Sequence, residues 1–232
     1  MRFAIIRFPG TWSDRDCYHV LHNVLEQPAD ILWHREADLS GYDAVVLPGG
    51  FSYGDHLRCG AIARFSPVMD AVVEFARRGK PVIGICNGFQ ILTECDLLPG
   101  SLLMNSGLTF ICQHQYIRVE NANTPFTRNI PVGRVLDIPI AHKEGNFFID
   151  PERLKSLQDN DQIIFRYCDR DGAATSEANP NGSLDNIAGI CNIQRNVLGM
   201  MPHPERASTE GVVSRDGREI FAAIEDHFDS SR

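Results

Sequence analysis

A chain of 232 residues, 43% hydrophobic and 22% charged, can bury one large core, and this composition excludes a disordered or fibrous protein. Its net charge of −8 argues against a broad nucleic-acid-binding surface. No apolar run approaches the roughly 20 residues of a membrane helix, and the short apolar start is broken by Arg7, so a cytoplasmic chain with neither signal peptide nor membrane contact is expected.

The chain reads as strands alternating with helices. Phe3–Phe8 is a short apolar strand that stops at Pro9-Gly10. Asp14–Leu25 has helical spacing, with Cys17, Val20, Leu21, Val24 and Leu25 on one side. Ile31–Trp33 is a second short strand, and Tyr42–Leu47 is an apolar strand ending at Pro48-Gly49-Gly50. Pro67–Arg78 is an amphipathic helix with Arg77-Arg78 complementing the dipole at its end. Pro81–Ile85 is apolar throughout, as a central parallel strand covered on both faces must be, and Asn87–Cys95 is the next helix.

The second half is richer in strands. Phe110–Val119, Val135–Ala141 and Gln162–Tyr167 alternate, and Ile187–Ile193 and Val197–Met201 flank Gln194-Arg195-Asn196 as a hairpin. Ser214–Phe228 closes the chain as an amphipathic helix capped by Ser214. The alternation predicts one α/β domain with a mainly parallel sheet and an added antiparallel portion.

The strongest chemical signal is Gly84-Ile85-Cys86-Asn87-Gly88, placed between an apolar strand and a helix. That is the setting of a nucleophile elbow, with cysteine in place of serine. Glycines two residues before and two after relieve clashes in so sharp a turn. The helix that follows aims free N–H groups and its dipole at the sulfur, which favours thiolate. Without its flanking strand and helix, the same motif would equally describe a buried structural cysteine.

Eight histidines are available as a base for such a nucleophile. His203, in Met201-Pro202-His203-Pro204-Glu205, follows an apolar strand. Residues i and i+2 of an extended segment face the same way, so Glu205 is expected to reach the His203 ring and complete a triad. A surface loop with an incidental histidine is the competing reading. An oxyanion site needs backbone N–H groups, and those of Asn87 and of Gly49-Gly50 are the candidates, although Gly-Gly also suits an ordinary turn. His142 ends a strand and opens the polar stretch His142-Lys143-Glu144-Gly145-Asn146, whereas the other histidines have no partner that spacing identifies.

The seven cysteines include no Cys-x-x-Cys pair, so no zinc or redox motif is present, and most are expected to be buried, reduced thiols. Cys59 is a second-choice nucleophile, but no strand precedes it. No metal site is expected, and no GxxxxGK[ST] phosphate loop occurs.

Cys86 in GICNGFQIL, His203 and Glu205 in PHPE, and PGGFSYGD after a strand together resemble the class I (triad) glutamine amidotransferases. FSYGDHLRCGAIA, IPIAH-x-EGN, NPNGS and NVLGMMPHPER narrow the resemblance to the glutaminase subunits of phosphoribosylformylglycinamidine synthase, from about Phe3 to Arg206. The resemblance implies a flavodoxin-like sheet, mainly parallel, twisted and flanked by helices, within one type 1 amidotransferase domain over 1–232. It implies that Cys86 attacks the side-chain amide of glutamine, that His203, oriented by Glu205, moves the protons, and that Gly50 and Asn87 hold the oxyanion. Gln90 and the segment His142, Lys143 and Glu144 are then the glutamine-binding candidates. The resemblance also implies a PurL-type synthetase partner that uses ATP and Mg, a small PurS-type accessory partner, and no cofactor in this chain.

Three positions depart from that pattern. Lys143 stands where the family usually has glycine, Thr11-Trp12-Ser13-Asp14 differs from the usual N-terminal loop, and Arg195 replaces an expected turn glycine. Another amidotransferase or a γ-glutamyl hydrolase is the alternative enzyme on the same fold. A non-catalytic subunit is the alternative outside enzymes, but Cys86, His203 and Glu205 are all retained.

Overall fold

In the computed structural model, residues 1–229 are described; the last three residues of the domain expected over 1–232 lie outside them. In chain order the first half holds β1 (Phe3–Arg7), α1 (Asp14–Tyr18), β2 (Ala29–Trp33), β3 (Ala44–Leu47), α2 (Pro67–Arg77), β4 (Val82–Ile85) and α3 (Asn87–Glu94). The second half holds β5 (Ser101–Leu103), β6 (Ile111–Val119), β7 (Val135–His142), β8 (Asn146–Phe148), α4 (Pro151–Asp159), β9 (Ile163–Tyr167), β10 (Ile187–Cys191), β11 (Val197–Met200) and α5 (Gly217–Asp229).

One nine-stranded sheet runs β2-β1-β3-β4-β11-β10-β9-β6-β7. Strands β2 to β11 in that order are parallel, and the remainder continues antiparallel. The parallel order is that of flavodoxin-like sheets, whose ligands bind beyond the carboxyl ends of the strands. Strands β3, β4 and β11 are buried at every position, which is why their sequences carry no alternation. Directions alternate from β11 onward, so β7 again ends at the carboxyl edge. The loops after β1, β3, β4, β11 and β7 therefore converge there.

Most elements fall where periodicity places them, and the expected β10–β11 hairpin forms. Its Arg195 sits at φ 64, the left-handed conformation that makes glycine the natural occupant of that turn.

Three differences are local. The helix expected over Asp14–Leu25 is α-helical only to Tyr18 and continues as a π-helical segment, His19–Val24, with the Leu25 N–H bonded to Val20 O at 2.9 Å. The wider turn rotates Val24 and Leu25 to half-buried positions, while Cys17, Val20 and Leu21 stay buried. Helix α5 begins at Gly217, not at Ser214, whose hydroxyl instead accepts the Asp216 N–H in a tight turn. Periodicity points neither to the pairing between β5 and β8 nor to helix α4 with its Asp150 cap. Each strand of that pair is three residues long, too short for a period to show.

Candidate active site

Cys86 occupies the turn between β4 and α3 at φ 50, ψ −103, a strained conformation for a residue with a β-carbon. Its N–H is held by Met200 O at 2.8 Å, and its carbonyl accepts the Gln90 N–H at 3.1 Å. The flanking glycines have separate reasons. A β-carbon on Gly84 would lie 2.6 Å from the Gly88 carbonyl, and one on Gly88 would lie 1.9 Å from Leu47 O of β3. Close packing of α3 on the sheet thus requires both.

His203 follows β11 and is 2% exposed, and its N–H is bonded to Pro139 O of β7 at 2.8 Å. Its Nδ1 is 2.6 Å from Glu205 Oε1. The expected route to this contact was an extended segment; the structure uses a 3-10 turn, Pro204–Arg206, that folds the carboxylate back under the ring. Proline suits the first position of that turn, because its fixed φ is near helical and its missing N–H is not needed there. Nε2 of His203 is buried without a hydrogen-bond partner, and Cys86 lies within its electrostatic reach. Burial opposes a charge on His203, but Glu205 and then Cys86 outweigh it and hold the imidazole's pKa well above its usual range. Burial likewise opposes the Glu205 charge, yet the His203 imidazolium holds that carboxyl below its usual value.

A cleft of about 280 Å³ opens over these groups, lined by Cys86, His203 and Gly50, with Trp12, Phe51 and Phe110 at its mouth. A second cavity of about 160 Å³ continues inward past Cys86 to Gln90, His142, Lys143 and Glu144. The fold therefore brings together the residues singled out in the sequence, with Glu205 behind His203 and Asn87 beneath Cys86. Gly50 has φ 152, and a β-carbon there would meet Trp12 N at 2.6 Å. The Phe51 N–H is taken by Gly10 O at 2.9 Å, while the Gly50 N–H makes no hydrogen bond among the described residues. Asn87 opens α3, where a backbone N–H has no intrahelical acceptor.

Gln90 is tied to the protein at both ends of its amide. Nε2 donates to Glu144 O at 2.7 Å, and Oε1 accepts from Asn87 Nδ2 at 2.9 Å. Asn87 Oδ1 in turn accepts the Ser52 N–H at 3.1 Å. Gln90 thus braces the segment after β7 as well as lining the cavity.

Asn105, fully buried, had no motif to mark it. Its Nδ2 donates to His142 O at 3.0 Å, its Oδ1 accepts the Gly145 N–H at 3.1 Å, and its own N–H donates to Lys143 O at 2.8 Å. Oδ1 also lies 3.1 Å from His142 Nδ1, so that nitrogen carries the ring proton. Burial, with the charge of His203, lowers the pKa of His142 to about 4, and the ring is neutral at pH 7. Asn181, in the NPNGS stretch, adds a bond to Gly145 O at 2.8 Å. Lys143 is exposed at the cavity rim.

All seven cysteines are free. Cys17, Cys86, Cys168 and Cys191 are buried, as expected of most of them, while Cys59 and Cys95 are half-buried and Cys112 is exposed. Burial, followed by Glu144 and Asp55, pushes the Cys59 thiol far above its usual range, which disfavours the thiolate there.

The family model for the CobB/CobQ-like glutamine amidotransferase domain matches residues 1–223. Phosphoribosylformylglycinamidine synthase subunit PurQ of Moorella thermoacetica is 56% identical over 227 residues, covering 97% of this chain and 96% of that protein. The same subunit of Acaryochloris marina is 54% identical over 224 residues, 97% of this chain and 95% of that one. The chain belongs to the PurQ family. A chain in the structure of PurLQS from Thermotoga maritima superposes with a TM-score of 0.86 at 39% identity, covering 98% of each chain. A glutamine amidotransferase from Thermotoga maritima shares the fold alone, with a TM-score of 0.56 at 18% identity, over 100% of this chain and 85% of that one. The PurQ relatives match the chain at nearly full length, so the family extends over both the elbow and the His203–Glu205 turn.

Proposed function

We propose that this chain is the glutaminase subunit of a phosphoribosylformylglycinamidine synthase and works as one amidotransferase type 1 domain. The observation that supports the catalytic reading most is the pairing of a strained Cys86 elbow with a buried His203 whose Nδ1 is held by Glu205 at 2.6 Å, leaving Nε2 for the cleft.

In this reading the Cys86 thiolate attacks the side-chain amide carbon of glutamine, and the carbonyl oxygen gains the displaced electron pair. The N–H groups of Gly50 and Asn87 hold that oxyanion. The His203 imidazolium gives its proton to the amide nitrogen as the C–N bond breaks, which releases ammonia and leaves a γ-glutamyl thioester. His203, now neutral, takes a proton from water. The hydroxide equivalent attacks the thioester, the C–S bond breaks, and glutamate leaves with the thiolate restored. Glu205 keeps the ring oriented and its charged form stabilised through both halves. No step calls for a cofactor in this chain.

Ammonia then passes to a PurL-type synthetase, which uses ATP and Mg to convert formylglycinamide ribonucleotide to the amidine, with a PurS-type subunit completing the assembly in the cytoplasm. Trp12 (70% exposed), Phe51 (43%) and Phe110 (50%) rim the cleft and supply an apolar docking face for the synthetase.

The test is amidine formation by a reconstituted complex carrying Cys86→Ala. Glutamine-dependent synthesis is expected to vanish while synthesis from ammonium salts persists. Retained glutamine use would remove Cys86 as nucleophile. A purified wild-type complex that forms no amidine from either nitrogen source would overturn the synthase assignment.

A further inference from the structure

The loop after β3 is held in an expensive conformation. Tyr53 (φ 54), Asp55 (φ 55) and Leu57 (φ 70) are all left-handed, and Gly54 (φ 70) lies between the first two. Each such non-glycine residue is strained and persists only where its surroundings impose it. Here they do. The Ser52 N–H is bonded to Asn87 Oδ1 at 3.1 Å, and the Tyr53 N–H to Pro9 O at 2.7 Å. The consequence of this path is that Asp55 enters the wall of the inner cavity, alongside Cys86, Gln90 and Glu144.

Asp55 is poorly satisfied there. Its Oδ1 is fully buried and has no hydrogen-bond partner. Burial, and after it the negative charge of Glu144, work against ionisation of the carboxyl, and no cationic side chain among the described residues offsets them. The Cys59 thiol, within reach of both carboxylates, is a neutral group and cannot balance them. A second orphan lies in the same wall: His142 is 2% exposed, and its Nε2, the acceptor nitrogen of a neutral ring, is buried without a partner. Polar groups in such positions are unfinished until a ligand supplies the missing donors.

We propose that Asp55 is the counter-ion for the α-ammonium group of the substrate and is the residue that makes this site selective for an amino-acid amide over a plain one. This rests on the glutaminase reading above. Glutamine carries both an amide and an ammonium, and the wall of this one cavity carries both Cys86 and Asp55. A half-buried carboxylate with one oxygen buried and unpartnered binds an ammonium through charge-assisted hydrogen bonds and disfavours a ligand that leaves it unpaired. Asp55 is thus a specificity-determining residue and takes no part in moving protons.

The test compares glutamine with 4-carbamoylbutanoate, which has the same amide and carboxylate but no amino group, using ammonia release by the complex with its synthetase. The wild-type complex is expected to prefer glutamine by roughly 100-fold or more in kcat/KM. In Asp55→Asn that preference is expected to collapse to within about 10-fold, with the loss on glutamine appearing mainly in KM. Asp55→Glu keeps the charge and is expected to keep a preference, which covers the case of an Asn variant that does not fold. An unchanged ratio in Asp55→Asn, or a wild-type complex indifferent to the amino group, would overturn the inference. So would collapse of the ratio in Glu144→Gln alone, which would move the counter-ion to Glu144. A wild-type complex that releases no ammonia from glutamine would instead sink the glutaminase reading, and this inference with it.

Discussion

The carbonyl oxygen of Leu47 lies 1.9 Å from where a β-carbon on Gly88 would be. Strand β3 and the first turn of α3 touch at this point, so the glycine is required by two elements meeting and not by its own dihedral angles. The contact also fixes how far the elbow projects above the sheet.

Gly88→Ala is therefore expected to push α3 off β3 and displace Cys86. We expect a loss of about 3 kcal/mol in stability, at the upper end for an overpacked core, and loss of glutaminase activity even where the fold survives. Urea denaturation and ammonia release from glutamine measure the two effects. A variant with wild-type midpoint and turnover would show that the helix has room to move.

Asn105→Ala should unfasten the segment after β7. It removes the side-chain partners of His142 O and the Gly145 N–H, both in buried surroundings. A cost of about 2–3 kcal/mol is expected. Because that segment also lines the inner cavity, KM for glutamine should rise at least about tenfold while kcat changes less. A kcat loss with unaltered KM would instead place Asn105 behind the chemistry.

Stability should depend on pH through His203 and Glu205. The raised His203 pKa contributes stability that is fully present below the usual 6.5 and is lost as pH rises toward about 10. The lowered Glu205 pKa contributes stability present above the usual 4.5 and lost as pH falls through its folded value. The pair is thus most stabilising between those two usual values. In Glu205→Gln the buried ring has lost its main counter-charge and stays neutral. The variant should be about 3–5 kcal/mol less stable than wild type near pH 6, with the gap narrowing steadily up to pH 9. Denaturation curves across that range decide it; a gap independent of pH would mean that His203 is neutral in the wild-type protein as well.

Much of the site is legible in the sequence because its signals are local. A sharp turn between an apolar strand and a helix leaves glycines at fixed offsets, so Cys86 stands out without any knowledge of the rest of the chain. His203 and Glu205 are two residues apart, close enough for sequence proximity to pair them, although the backbone that joins them is a 3-10 turn and not an extended segment. The parallel strands declare themselves because burial on both faces removes alternation. Asn105 and Asp55 are different. Asn105 acts on His142, 37 residues away, and Asp55 enters the cavity only through a loop bent by left-handed residues that no propensity marks. The order of the strands decides which loops meet at the carboxyl edge, and that order is settled by long-range pairing between strands. The sequence by itself therefore determined the proposed nucleophile, its proposed base and the class of sheet that carries them. Which polar groups line the cavity beside Cys86 was decided only by the tertiary structure, because buried donors and acceptors are matched across distances in the chain that leave no local pattern.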